Sequence, residues 1–378
     1  MPSVRLFLAA AAALLVPCLS ASAGTMKEYQ TKYYVIYSDN DEPTVKEATA
    51  RVTAMAQEYY ERTKDFSGKI RKRLPFYMYS NEAEYKAAGG IGAGLFAGNK
   101  LLACVPNGGG GYGWHIIQHE GFHQFVDQVM GGRVPAWVNE GLAEYFGEGL
   151  WTGDAFVTGV IAPSRLGRVK GLMKANQMKP FEQMFALSYG EWSANLDMKN
   201  YDQAWSMVHF LVNADDQKYR KAFGDFLKET SKSKDWLAAF KAHFGADLKP
   251  FEDRWRAWWT ALPADPTPDL AGSAVVQIYT SFLARATVGG HAFITWEDFI
   301  AAARGGKLQA DDSTWLPPGL LASAISSHAC RTGTWSLDLS GKQPRVVFTR
   351  KDGTLFTGEY TVEGKEFKTR VDIKPPAK

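Results

Sequence analysis

The chain has little cysteine, no sustained excess of either charge and, beyond its first two dozen residues, no long apolar run. Lys+Arg at 43 against Asp+Glu at 40 leaves no basic stripe of the kind that tracks a phosphate backbone, so nucleic acid is not an expected partner. No later segment approaches the roughly 20 apolar residues that cross a bilayer, so no integral span is expected in the mature chain. There is no internal repeat and no low-complexity block. What is present is ordinary globular material: 378 residues, enough for two domains, with 46% hydrophobic and 13% aromatic residues to build a sizeable core.

The exception to the missing apolar run is the start. Arg5, the apolar stretch Leu6 to Leu19 and the small-residue site Ala21-Ser22-Ala23 read as a cleavable export signal. Pro17 and Cys18 interrupt the run, which makes it a poor anchor, and Pro17 before Cys18 is a poor lipid-attachment site. The expected mature chain begins near Gly24 and is secreted or periplasmic. Export leaves Cys104 and Cys330, which an oxidising compartment allows to pair if their Cα atoms approach; the spacing leaves that open.

Past the signal, Tyr33 to Tyr37 reads as a strand and Pro43 to Lys64 as a helix, with Val45, Ala48, Val52, Met55, Ala56, Tyr59 and Tyr60 at helical spacing. Leu74 to Tyr79 is a second strand, and Ser80-Asn81 caps a short helix through Tyr85. A glycine-rich region, Gly89 to Gly98, precedes a strand at Lys100 to Val105 and the loop Gly108 to Gly111. Trp114 to Met130 and Ala136 to Phe146 are helices, the second opened by Pro135, and Tyr201 to Leu262 reads as three more. Leu262 to Asp269 is a proline-rich linker. Beyond it lie a short helix at Thr295 to Arg304 and alternating segments: Trp335, Leu337 and Leu339, then a turn at Asp352-Gly353, then Phe367, Thr369, Val371 and Ile373.

The chemistry concentrates in His119-Glu120-Gly121-Phe122-His123. Histidines four apart stack on one face of a helix, so both imidazoles reach one metal ion, and Glu120 reaches a water on that ion. Zinc lowers the pKa of such a water towards neutrality, and a carboxylate beside it takes the proton. Sixteen residues after His123 begins Asn139-Glu140-Gly141-Leu142-Ala143-Glu144. Glu140 and Glu144 sit one turn apart on a helix otherwise made of Trp137, Val138, Leu142, Ala143, Tyr145 and Phe146. Two like charges on so apolar a helix need a cation or strong donors nearby. A metal site supplies both: one carboxylate on the ion, the other on the free N–H of a liganding histidine.

The paired motifs resemble the gluzincin metallopeptidases, the clan of thermolysin and the membrane-type aminopeptidases, and the W-V-N-E-G-L-A-E-Y-F wording is most similar to its small peptidase-MA-like families. The resemblance spans roughly Trp114 to Trp259. It implies one zinc ion held by His119, His123 and Glu140, with Glu120 as general base and Glu144 orienting His119. It also implies an α+β, thermolysin-like catalytic domain over residues 24–262, with a small sheet in front and helices behind. Residues 263–378 form an appendage, β-rich near its end, outside the resemblance.

By the same resemblance Tyr201, opening a later helix, matches the tyrosine that donates to a developing oxyanion, although the Lys and Gly of the family's wording are missing here. His209 on the same helix is the alternative donor. His115 falls on the stripe of His119 and His123, but three histidines on one straight helix do not converge easily on one tetrahedral ion, so it is expected to line the cleft. The strand at Lys100 to Val105 is expected to be the sheet edge that pairs with an extended substrate. The family's G-x-M-E-N segment for a free amino end is absent. The expected activity is hydrolysis of peptide or protein substrates; a zinc-bound, non-catalytic binding protein and a zinc amidase acting on cell-wall material are the alternatives.

Overall fold

The computed structural model describes residues 25–376, apart from residues 66, 108–110, 132–133, 195–196, 231, 233–234, 309–314, 329–330 and 332. The export signal and Cys330 lie outside the described residues; Cys104 is a free, partly buried thiol. The chain is mixed α+β, with a sheet at the front, helices behind it and a separate β region at the end.

The first sheet is built from β1 (Lys27–Gln30), β2 (Tyr34–Ser38), β3 (Leu74–Tyr79), β4 (Gly94–Ala97) and β5 (Lys100–Cys104), in the order β1-β2-β3-β5-β4. Strands β2, β3 and β5 are parallel, while β1 and β4 add antiparallel edges. The expectation of an edge strand at Lys100 to Val105 is therefore corrected. β5 is interior, and the edge is β4, a four-residue strand folded back over a turn at Gly98-Asn99. Helix α1 (Glu42–Thr63), capped by Asp41, packs its apolar stripe against the sheet and α3; α2 (Glu82–Ala87) follows β3 with Asn81 as its cap.

Behind the sheet lie α3 (Gly111–Met130) and α4 (Ala136–Gly147). A two-stranded ribbon, β6 (Leu150–Trp151) with β7 (Phe156–Val157), leads into α5 (Pro163–Lys174), α6 (Phe181–Ala186) and α7 (Tyr189–Ala194). Four helices complete this lobe where three were expected: α8 (Met198–Gln217), α9 (Arg220–Thr230), α10 (Trp236–Phe244) and α11 (Lys249–Ala261). Helix α4 is buried on nearly every side, and it lies so close to α8 that a Cβ on Gly141 would meet the Ala204 carbonyl oxygen at 2.5 Å. Only glycine admits that approach.

The proline-rich segment ends in a helix. Pro268 opens α12 (Pro268–Val288), which is buried along most of its length. Helices α13 (Trp296–Arg304, capped by Thr295) and α14 (Pro318–Ser326) follow, then an antiparallel sheet of β8 (Gly333–Asp338), β9 (Arg345–Arg350), β10 (Leu355–Glu363) and β11 (Glu366–Lys374), in the order β11-β10-β9-β8. This second lobe has its own core, around Tyr279, Phe282, Phe299, Phe348 and Phe356. Trp151 of β6 belongs to that core, so the ribbon joins the two lobes. Among the described residues, no helix is long and apolar enough to cross a membrane.

Candidate metal centre

Helices α3 and α4 run antiparallel, and the side chains they turn toward each other form the site. Their register is locked by Gln118, whose buried amide donates to the carbonyls of Phe146 and Gly147 at the end of α4 and of Gly149 just beyond it, at 3.0 Å each. One residue on, His119 faces Glu140 and Glu144; a turn later His123 faces Glu140.

The sequence placed His119, His123 and Glu140 at one metal ion, and the structure brings them together. Their Nε2, Nε2 and Oε2 atoms form a triangle with sides of 3.1 Å between the imidazoles and 3.4 Å from each to the carboxylate. Bonds of about 2.0–2.1 Å in a tetrahedron give edges of about 3.3–3.4 Å, so the triangle has the size of one face of a tetrahedral site. The donor set, two imidazoles and one carboxylate with a fourth position left over, suits a divalent metal. These three residues are close enough together to hold a metal ion.

Glu144 lies on the other side of His119, with Oε1 3.2 Å from Nδ1. That bond fixes the tautomer, leaving Nε2 free to act as a donor to a metal. Burial opposes ionisation of Glu144, but the hydrogen bond to His119 and the nearby Arg165 guanidinium outweigh it and hold the carboxyl well below the usual range. Arg165, from α5, donates from Nη1 to Glu144 at 2.6 Å and to Glu148 at 2.9 Å, and its Nε lies 3.1 Å from Asp202. Asp202 in turn takes a bidentate bond from Arg168 at 2.8 and 2.9 Å. His115, His119 and Glu144 are also close enough to suggest an ion. The Arg165 guanidinium already supplies positive charge there, and His115 Nε2 stands off at 3.8 Å from Glu144, so this second group is a fixed ion-pair network.

On the ligand triangle, among the described residues, no arginine or lysine pairs with Glu140. Burial disfavours charge on His119, yet its hydrogen bonds to Glu140 and Glu144 raise its pKa to about 10. His123 is raised by Glu140 against its own burial. Glu140, though desolvated, is drawn down to about 2 by the two imidazoles. In the metal-free chain, protons supply the positive charge that a metal ion would otherwise bring.

Glu120 sits on the sheet side of α3, where Oε2 accepts from the backbone N–H of Phe96 in β4 at 2.8 Å. The edge strand comes this near because Gly94 has no side chain; a Cβ there would lie 2.5 Å from Ile116 Cγ2. Tyr201, at the start of α8, has its ring 6.3 Å from that of His119 and packs edge-on against Trp192. Burial raises its hydroxyl to about 12, so it stays protonated and able to donate. His209 is elsewhere. It is buried among Tyr145, Trp205, Trp258 and Trp259 with Nε2 3.1 Å from the Gly159 carbonyl, and burial lowers its pKa to about 4. That makes it a neutral core histidine.

Sequence reasoning missed Arg165, Asp202, Gln118 and the β4 backbone. Only Gln118 carried a local signal, an amide one residue before the first motif histidine; Arg165 and Asp202 reach the site by packing of distant elements.

Residues 115–236 match the model of a family described as "Protein of unknown function (DUF1570)". The match runs from His115 to Trp236 and takes in both motifs, most of α3 and all of α4 and α8. No curated protein matches the chain, and no solved structure does.

Proposed function

We propose that the protein is a zinc-dependent hydrolase of gluzincin type, with a thermolysin-like arrangement of its first lobe and a peptidase activity. The observation that carries this reading is the triangle of His119, His123 and Glu140 with Glu120 one residue from the first ligand and against a sheet edge. Zinc, when held there, polarises a carbonyl oxygen and acidifies water.

The chain's own groups have these roles. His119, His123 and Glu140 hold the ion, and Glu144, kept anionic by Arg165, holds His119 by its Nδ1–H. Glu120 receives the proton of the attacking water and passes it to the leaving amine. Its tether to Phe96 keeps it beside the strand along which a peptide would lie. β4 is antiparallel and outermost, so an extended substrate can add to it by backbone hydrogen bonds. Tyr201, whose ring lies 6.3 Å from that of His119, is the proposed donor to the developing oxyanion.

The test is Glu120→Gln in zinc-loaded protein. Peptide hydrolysis should fall by about 10²–10⁴-fold, the usual contribution of a general base, with zinc content unchanged. Turnover retained in that variant would remove Glu120 from the chemistry, and loss of zinc would mean that it is a ligand.

A further inference from the structure

Between the two lobes lies a cavity of about 490 Å³. Arg51, Trp114 and Trp151 line it from the first lobe, and Ala274, Ile278 and Leu320 from the second. Its walls are mostly apolar; of the charged groups on them, Glu148 is already paired with Arg165 at 2.9 Å, which leaves Arg51 as the cation facing the space. The Arg51 guanidinium is sandwiched between two indoles, 4.8 Å from the Trp114 ring and 4.6 Å from that of Trp151. Its Nε is tied to Glu47 at 2.6 Å, while among the described residues no hydrogen bond engages its two terminal nitrogens. Only 16% of the side chain is exposed. Burial lowers the guanidinium pKa more than Glu47 restores it, so the charge is under-compensated where it sits. A planar fork stacked against two indoles at the wall of a cavity, its terminal nitrogens not engaged by the protein, can receive a carboxylate.

The cavity also lies where the end of a substrate would arrive. Its wall includes His115, whose ring is 6.4 Å from that of His119. Strand β4 runs past α3 from Ile116, beside Gly94, to Glu120, beside Phe96. A peptide paired antiparallel to it, the more stable mode, runs the opposite way, and its C-terminal part heads for the His115 end of α3. At about 3.3–3.6 Å per extended residue, the 6.4 Å from the His119 ring to the His115 ring on the cavity wall is about two residues.

We propose that this interlobe cavity binds the free carboxylate and last side chain of a peptide, with Arg51 as the carboxylate receptor and the second lobe as the wall that closes the pocket. The identity of the entering chain rests on the peptidase reading; the carboxylate preference does not. The chain would then act at or near the carboxyl ends of its substrates.

The test is calorimetric binding of N-acetyl-alanyl-phenylalanine and of its C-terminal amide to the metal-free full chain. The acid should bind at least about tenfold more tightly, as a charge-assisted hydrogen bond allows. Arg51→Gln should erase the difference. Ser323→Glu, an exposed position on the α14 wall, should also erase it without touching the Trp–Arg–Trp stack, so a folding defect in the first variant does not decide the matter. Equal binding of acid and amide, no binding of either at low millimolar concentration, or a preference that survives Ser323→Glu would overturn the proposal. Cleavage of longer peptides by zinc-loaded protein separates the two readings. Acid preference without cleavage keeps the cavity and removes the peptidase; cleavage indifferent to C-terminal amidation keeps the peptidase and removes the cavity.

Discussion

His119 offers one ring nitrogen to each of two glutamates, and those glutamates live in different company. On the Nδ1 side, Glu144 is part of a closed network with Arg165, Glu148, Asp202 and Arg168, in which fixed guanidinium groups balance carboxylates. On the Nε2 side, among the described residues, Glu140 is ion-paired with the two imidazoles and no arginine or lysine, so positive charge arrives as protons or as a metal ion. Both sides are built from histidine and glutamate at similar spacing. The lesson is that residue type and proximity do not make a metal site by themselves; the absence of a permanent cation does, because it leaves a buried carboxylate in need of one.

The comparison is broken most decisively by His123→Ala. Removing a corner of the triangle should take zinc from about one per chain to none detectable by elemental analysis, an effect beyond the roughly 10–100-fold that changes behind the ligands produce. Zinc retained in that variant would move the ion to the His115, His119 and Glu144 group. Arg165→Met probes the other side. With the guanidinium gone, Glu144 and Asp202 are left buried with their compensation reduced, and urea denaturation should show a loss of about 3–5 kcal/mol. Zinc affinity should fall no more than about 100-fold, because the ligands stay. A stability loss under about 1 kcal/mol would mean that the network is solvated and the contrast between the two sides is false.

The two sides also differed in how far they could be read from the sequence. The imidazole pair was legible because a helix alone fixes what lies four residues apart, and Glu140 was legible because so apolar a helix as α4 has to pack against something. Arg165 was not, since nothing local says that α5 brings a guanidinium to α4. The same division holds for the fold. Helix α1 and strands β2 and β3 carry clean periodicity, and the turn at Asp352-Gly353 joins β9 to β10 as expected. β4 is four residues among glycines, too short for alternation to show, and its role depends on pairing with β5. α12 is apolar on nearly all faces, so it has no amphipathic stripe to betray it, and its opening proline reads equally well as linker.

The finest distinction between the two sides is their response to pH. His119 is raised from an ordinary 6.5 to about 10 in the metal-free chain, burial being outweighed by Glu140 and Glu144, and His123 is also raised. A raised folded pKa means that the bound proton stabilises the metal-free chain fully below about pH 6.5, and that this contribution is lost as pH rises through about 10. Zinc must displace such protons, so its binding near pH 7 should release between one and two of them, and apparent affinity should rise about tenfold per pH unit for each proton released. Calorimetric titrations in buffers of different ionisation heat give the number directly. The His119 Nδ1–H goes on donating to Glu144 throughout. Release close to zero would mean that the triangle already holds neutral imidazoles, and that Glu140 is balanced by something other than the protons assigned here.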